Sequence, residues 1–220
     1  MIQLGKSFRE RYPDTRIGLL AARGVENPSS CAELDRAKAA LEENIRAAFQ
    51  DKEAIKNEPV VQTYKEYYKR FKSTYHVLNQ VASVALQGRS IPQVAALVEA
   101  MFMAELKNMV LTSGHDLAAM TAPVFMDAAQ GGESFTMLAG REASVKPGDI
   151  ILADARGPAG SVIYGPDQRT MIRPETTEAL FVAWGVPGLD KEIILSHLRD
   201  LEGYLQLIAP GCRVEELDVV

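Results

Sequence analysis

Two cysteines, Cys31 and Cys212, are all that the 220 residues contain. Neither has a second Cys or a His at ligand spacing, which excludes a disulfide framework and a zinc knuckle. No apolar run approaches the ~18 residues that a membrane-crossing helix needs. The opening, Met1 to Arg16, mixes Lys6, Arg9, Glu10, Arg11 and Asp14 without an apolar stretch, so no secretory signal is expected. Positive charge is not in excess either: 24 Lys and Arg face 29 Asp and Glu, a net charge of −5. Strong non-specific binding to nucleic acid is therefore not expected. The chain also lacks Gly-x-Gly-x-x-Gly, Gly-x-x-x-x-Gly-Lys-Ser/Thr and Gly-x-Ser-x-Gly. Dinucleotide and nucleoside-triphosphate chemistry thus lose their phosphate cradle, and serine hydrolysis loses its elbow. No cofactor and no metal ion is expected.

Apolar residues make up 47% of the chain, which suffices for a sizeable core in one domain, while the scarcity of cysteine points to a reducing, most simply cytoplasmic, compartment. Thr15 to Val25 reads as a strand. Ser30 with Glu33 is a capping-box start, and Leu34, Ala37, Leu41, Ile45 and Ala48 make one helical face. That face leaves Arg36, Lys38, Glu42, Glu43 and Arg46 to water. Pro59 opens a second helix with the stripe Val60, Tyr64, Tyr67 and Phe71. A third runs from about Ser73 to Leu86 and stops at Gly88; a fourth starts at Pro92 and stops before Gly114. After about residue 120 come short apolar runs (PVFMDAAQ, ESFTMLAG, GDIILADA, GSVIYG, EALFVAWGV) split by Gly and Pro turn signals. A last helix, capped by Asp190, closes the chain. Helices followed by strands predict an α+β fold, helix-rich in its N-terminal half and strand-rich in its C-terminal half.

Three places carry polar chemistry. Gly114-His115-Asp116-Leu117 sets an imidazole beside a carboxylate after a helix, raw material for general base work and equally an ordinary polar turn. His76 and His197 stand alone in helices and read as fillers. Lys52 to Lys72 holds six cations (Lys52, Lys56, Lys65, Lys69, Arg70, Lys72) and three anions, a local +3 that leaves −8 for the rest. Tyr64, Tyr67, Tyr68 and Phe71 interleave with them. That composition suits phosphate contact and base stacking, or a solvated helix with its aromatics in the core. Finally, turns bearing Asp154, Asp167, Arg169, Thr170 and Arg173 could share one rim, where Arg169 would grip a carboxylate or phosphate.

The stretch from about Ser90 to Asp190 resembles the B3/B4 domain of the bacterial phenylalanyl-tRNA synthetase beta chain, and more closely the free-standing proteins built around it. The carriers are Ser90-Ile-Pro-Gln-Val, Gly114-His115-Asp116-Leu117, Gly132-Glu133 through Leu138-Ala-Gly140, Lys146-Pro-Gly-Asp149-Ile-Ile-Leu-Ala-Asp154, Ile163-Tyr-Gly-Pro-Asp-Gln-Arg-Thr170 and Pro174-Glu-Thr-Thr-Glu-Ala-Leu-Phe181. The resemblance implies a B3/B4-like sheet with packed helices, in one domain over 1–220. Residues 1–75 would be its helical N-terminal part and 76–220 its core. It further implies a translation-associated protein that binds tRNA or charged tRNA, and proofreading in trans: hydrolysis of a mischarged aminoacyl ester by an oriented water. Ligase activity is not expected, because aminoacylation needs an ATP-binding module and an anticodon- or acceptor-reading module and nothing in these residues supplies them. Two positions depart from the family pattern: Ala118 stands where it has its histidine, and Ala183 where a strand ends in glutamate.

On this reading His115 and Asp116 are the catalytic candidates. Lys107, Asn108, Asp154, Arg169 and Thr170 would bind substrate, and Lys65, Lys69, Arg70 and Lys72 would contact RNA. The pocket is expected between the sheet and the helix Pro92 to Thr112. No DNA or membrane partner is expected, and a homo-oligomer stays open. The alternatives are an amino-acid or small-metabolite binder without RNA contact, and a plain protein-interaction module.

Overall fold

The computed structural model describes residues 2–220. The chain runs through β1 (Gln3–Leu4), α1 (Lys6–Arg11), β2 (Gly18–Arg23), α2 (Ala32–Ala48), α3 (Lys52–Asn57), α4 (Pro59–Arg70), α5 (Val77–Gln87) and α6 (Ala96–Asn108). Then follow β3 (Thr112–Asp116), β4 (Phe125–Ala128), β5 (Ser134–Thr136), β6 (Glu142–Ser144), β7 (Ile150–Asp154), β8 (Gly157–Ser161), β9 (Gly165–Pro166) and β10 (Glu178–Ala183). The chain finishes with α7 (Lys191–Ile208) and β11 (Arg213–Val219). This is an α+β fold, with most helices in the first half and most strands in the second. Among the described residues, no helix is long and apolar enough to cross a membrane.

Two main sheets form, in the orders β1-β4-β7-β8-β9 and β11-β2-β10-β3, and β5 pairs with β6 in a separate hairpin. The four-stranded sheet is antiparallel throughout. Its two faces differ because strand side chains alternate. On one face, Gly18 lets Ile194 and Leu198 of α7 approach so closely that a Cβ would sit 2.5 Å from Ile194, and Gly114 does the same for Ile172 and Met101 of α6. On the other face lie Ser113, His115, Leu180 and Ala21, cross-strand neighbours by register. The two sheets are tied together by the segment after β9: His115 bridges Met171, and the Asp116 amide donates to the Thr170 carbonyl at 2.7 Å.

Local signals explain much of this. Asp190 caps α7 by accepting from the Glu192 amide at 2.7 Å, and Gly88 ends α5 in the left-handed region at φ 66°. Other expectations are corrected. α2 begins at Ala32 with no side-chain cap, Ser30 stays outside it, and Glu33 holds Arg36 at 2.9 Å instead. Glu42 is buried: it accepts from the Ile91 amide at 2.8 Å and pairs with Arg46 at 2.9 Å. Lys38 likewise turns inward to Glu99 at 2.8 Å. The third helix starts only at Val77 and the fourth only at Ala96. The latter ends at Met109, which itself adopts φ 55°, so Gly114 terminates nothing and lies inside β3. In GSVIYG a turn interrupts the expected strand: Gly160 and Ser161 end β8 and Gly165 opens β9. The last helix does not close the chain, since β11 returns to pair with β2.

α4 turns its tyrosines inward. Tyr64 stacks on Tyr75 with centroids 4.5 Å apart, donates to the Trp184 carbonyl at 2.7 Å and accepts from the Leu111 amide at 3.1 Å. Tyr64→Phe keeps the ring and strands both backbone groups in the core, so the denaturant midpoint should fall by the equivalent of about 1–3 kcal/mol.

Candidate functional site

A continuous buried chain of polar groups runs from Trp184 to Asp154. Trp184 Nε1 donates to Ser113 Oγ at 2.9 Å, and Ser113 Oγ lies 2.9 Å from His115 Nε2. His115 Nδ1 lies 2.8 Å from Thr170 Oγ1, whose hydroxyl donates to Asp167 Oδ1. Arg169 then joins Asp167 at 3.2 Å and Asp154 through two contacts, at 2.7 and 3.1 Å. A carboxylate can only accept, so each proton in the chain is assigned. Thr170 gives its proton to Asp167, His115 gives its Nδ1 proton to Thr170, and Ser113 gives its proton to the bare Nε2. His115 is therefore a neutral Nδ1–H imidazole. It has no exposed surface, and burial, helped by Arg169, pushes its pKa down to about 3.

This geometry ties two sheets together and leaves His115 no route to an outside water. Its neighbour Asp116 points to the other side of β3, as strand alternation requires. Asp116 accepts from the Ala118 amide and the Thr176 hydroxyl at 2.9 and 2.8 Å. The two predicted catalytic residues are thus not a base and its orienter. Asp154, Arg169 and Thr170 are brought together with His115 but hold one another. Burial pushes the Asp154 carboxyl up, yet Arg169 and the amides of Thr121 and Arg156 outweigh it and the net shift is downward. Lys107 and Asn108 are not brought to this cluster. They sit on the helix side of the sheet, where Asp200 of α7 takes both, at 2.7 and 2.9 Å. The expected pocket between sheet and α6 is occupied by packed side chains of α6, among them Met101, Ala104 and Leu97.

The basic stretch divides. Tyr64, Tyr67, Tyr68 and Phe71 are buried, and the tyrosine hydroxyls are bound inside, Tyr67 to Asp149 at 2.9 Å and Tyr68 to the Val162 carbonyl at 2.8 Å. They offer no face to a base, which corrects the stacking expectation. Lys69, Arg70 and Lys72 remain exposed, and half-buried Lys65 reaches Gln62 at 3.3 Å.

A large open cleft of about 960 Å³ lies on the His115 face of the four-stranded sheet, at its meeting with β1 and the turn before β4. Its apolar wall is Ile2, Leu117, Ala122, Pro123, Val124, Leu180 and Ala21; its polar wall is Gln3, Arg23, Glu215, Glu216 and Asp218. A bulge in β11 between Val214 and Glu216 creates the polar wall. The extra residue resets the alternation, so Val214, Leu217 and Val219 turn toward the helices while Glu216 and Asp218 turn into the cleft. Arg23 is already committed to Glu215 at 2.6 Å and Glu178 at 3.0 Å. Glu216 and Asp218 have no cationic partner among the described residues. Among those residues no three potential metal ligands converge, so these acids do not form a cation cage. Sequence reasoning passed over them, although the spacing of Val214, Leu217 and Val219, three then two, is what a bulged strand leaves behind.

No protein-family model matches the chain, and no curated protein matches it. Among solved structures, an N-terminal fragment of the phenylalanyl-tRNA synthetase beta-subunit from Pyrococcus horikoshii is similar over 97% of this chain and 52% of that one, at 10% identity and a TM-score of 0.46. The chain thus spans about half the length of that fragment. The likeness is too distant to transfer any residue's role.

Proposed function

We propose that the cleft between the sheets binds an aminoacyl group, its α-ammonium against Glu216 and Asp218 and its side chain against Leu117, Pro123 and Leu180. The single observation that carries this is the charge of the cleft wall: three carboxylates face one arginine, and that arginine is already paired. A free amino acid would bring a carboxylate that no unpaired cation meets. An esterified one brings only the ammonium, which two unpaired acids can take. The B3/B4-like motifs supply the carrier on this reading, the charged 3′ end of a tRNA. They also supply the domain reading, one domain with residues 76–220 as its B3/B4-like core and 1–75 as a helical N-terminal part, the latter also lending β1 and β2 to the two sheets. Hydrolysis is a separate step. It would need a base inside the cleft, which the buried His115 does not supply.

The test uses a stable mimic, adenosine carrying an amino acid in 3′-amide linkage. It should bind the full chain, and its N-acetyl form should bind at least about tenfold more weakly, as should the unacetylated mimic with the Glu216→Gln/Asp218→Asn chain. Equal affinity for the acetylated form would overturn the reading. Binding of a free amine with no gain from the adenosine would select the rival, a small-metabolite site without RNA, which the acidic wall also favours by repelling phosphate.

A further inference from the structure

A second recess, of about 350 Å³, opens where the end of α1, the end of α4 and the loop between β6 and β7 meet. Its lining is Arg11, Arg70, Phe71, Lys72, Lys146 and Pro147: four cations and no acid. Several cations elsewhere on this surface, Arg23, Arg36, Lys38, Arg46, Lys56, Lys107 and Arg169 among them, pair with carboxylates; what sets this recess apart is that four unpaired cations converge on one hollow. Among the described residues none of these four pairs with a carboxylate. Glu10, the acid beside Arg11 in the chain, pairs with Lys6 at 3.7 Å.

Three of the four are also held in place. The Arg70 guanidinium lies 5.4, 5.6 and 5.8 Å from the ring centres of Tyr67, Tyr12 and Phe71, and donates to the Tyr12 hydroxyl at 3.1 Å. Lys146 Nζ donates to the Phe71 carbonyl at 2.6 Å. Arg11 crosses the bare backbone of Gly148, where a Cβ would sit 2.5 Å from its guanidinium. Lys72 adopts φ 54°, at a helix end where glycine would be at ease. A lysine kept in a strained conformation is a cue to function when its side chain faces a built recess.

We infer that this recess is a phosphate site. It takes a phosphate or diphosphate group through charge-assisted hydrogen bonds from Arg11, Arg70, Lys72 and Lys146, with the Phe71 ring as its floor. Four like charges around one small hollow repel one another, and a multiply charged oxyanion relieves that repulsion where a single carboxylate relieves less of it. The inference does not rest on the aminoacyl reading. The group could come from an RNA backbone or from a free phosphate compound, and the experiment separates the two.

Pyrophosphate titrated calorimetrically into the full chain at fixed ionic strength should bind at one site. Arg11→Gln/Lys146→Gln should weaken it about tenfold or more. Lys72→Gly should weaken it several-fold while the melting temperature holds or rises by about 2–4 °C, because glycine accepts the left-handed backbone. That variant separates loss of the site from loss of the fold. Glu216→Gln/Asp218→Asn should leave pyrophosphate binding intact, so the two sites fail independently. Release of a bound single-stranded RNA by pyrophosphate would assign the recess to an RNA phosphate; pyrophosphate binding without RNA binding would assign it to a free phosphate compound. No pyrophosphate binding, or binding that Lys72→Gly and Arg11→Gln/Lys146→Gln leave unchanged, would overturn it.

Discussion

Replacing Arg169 with methionine should lower the unfolding free energy by about 3–5 kcal/mol, at the upper end of single substitutions. Among the described residues the arginine is the only cation within pairing distance of Asp154 and Asp167, whose side chains are 0% and 4% exposed. Removing it strands two carboxylates in the core. Asp154 retains the amides of Thr121 and Arg156, which limits the loss on that side. Asp167 retains Thr170, and through it the chain to His115 and Ser113. Lysine should recover little, since one ammonium cannot span two oxygens of Asp154 and one of Asp167 together. Urea midpoints give the magnitude. Two further results identify the cause. The deficit should shrink as pH falls and the stranded carboxyls take up protons, and Asp154→Asn/Asp167→Asn placed on Arg169→Met should restore part of the stability. A cost below about 1 kcal/mol would mean that the network is solvated and not sealed.

That network shows where sequence reasoning stops. Thr112-Ser-Gly-His-Asp116 reads as a polar turn after a helix, because no local pattern announces a strand whose residues are all buried. Its polar groups survive burial by bonding to Thr170, Trp184, Thr176 and His197, residues 55 to 85 positions away. Periodicity cannot see such partners. Glu42 is the same lesson inside a helix: the apolar face of α2 was legible, and the burial of a charged residue beside it depended on the distant Ile91 amide. By contrast, what is written locally was readable. The Asp190 cap, the Gly88 stop, the inward stripe of α4 and the turn-rich second half follow from spacing and turn chemistry, and together they give the α+β class. The candidate site was less legible than the fold. Lys107 and Asn108 looked free until Asp200 approached them through tertiary packing, and the two recesses gather residues from both ends of the chain. The cleft joins Gln3 to Asp218, and the cationic recess joins Arg11 to Lys146.

Stability should peak near pH 6–6.5 and fall by up to about 2 kcal/mol at pH 8, and Glu105 should account for the fall. Glu105 is fully enclosed on α6, accepting from the Thr112 amide at 2.8 Å, and burial raises its pKa from 4.5 to about 8. Between those values the native chain holds a proton that the unfolded chain has released. Stability therefore declines as pH rises through this window, by up to about 1.4 kcal/mol per pH unit. Asp149, raised from 3.8 to about 6 by burial, adds the same trend below pH 6. The buried histidines act oppositely. His115 and His197 are lowered by burial from 6.5 to about 3 and about 4, so below pH 6.5 the unfolded chain binds the extra protons and stability rises with pH. From pH 4.5 to 6 two carboxyls and two imidazoles nearly cancel. At pH 6.5 the unfolded imidazoles are still half protonated and offset part of the fall; above about pH 7.5 they are largely neutral in both states, Asp149 is ionised in both, and Glu105 dominates. Glu105→Gln keeps an acceptor for the Thr112 amide and removes the proton, so it should abolish the decline between pH 6.5 and 8, leaving the slight rise that the unfolded imidazoles give, whatever constant offset it adds. Urea unfolding of both chains at pH 6.5 and 8 decides it: a wild-type midpoint that does not fall, or a decline that survives in Glu105→Gln, would place the titrating group elsewhere.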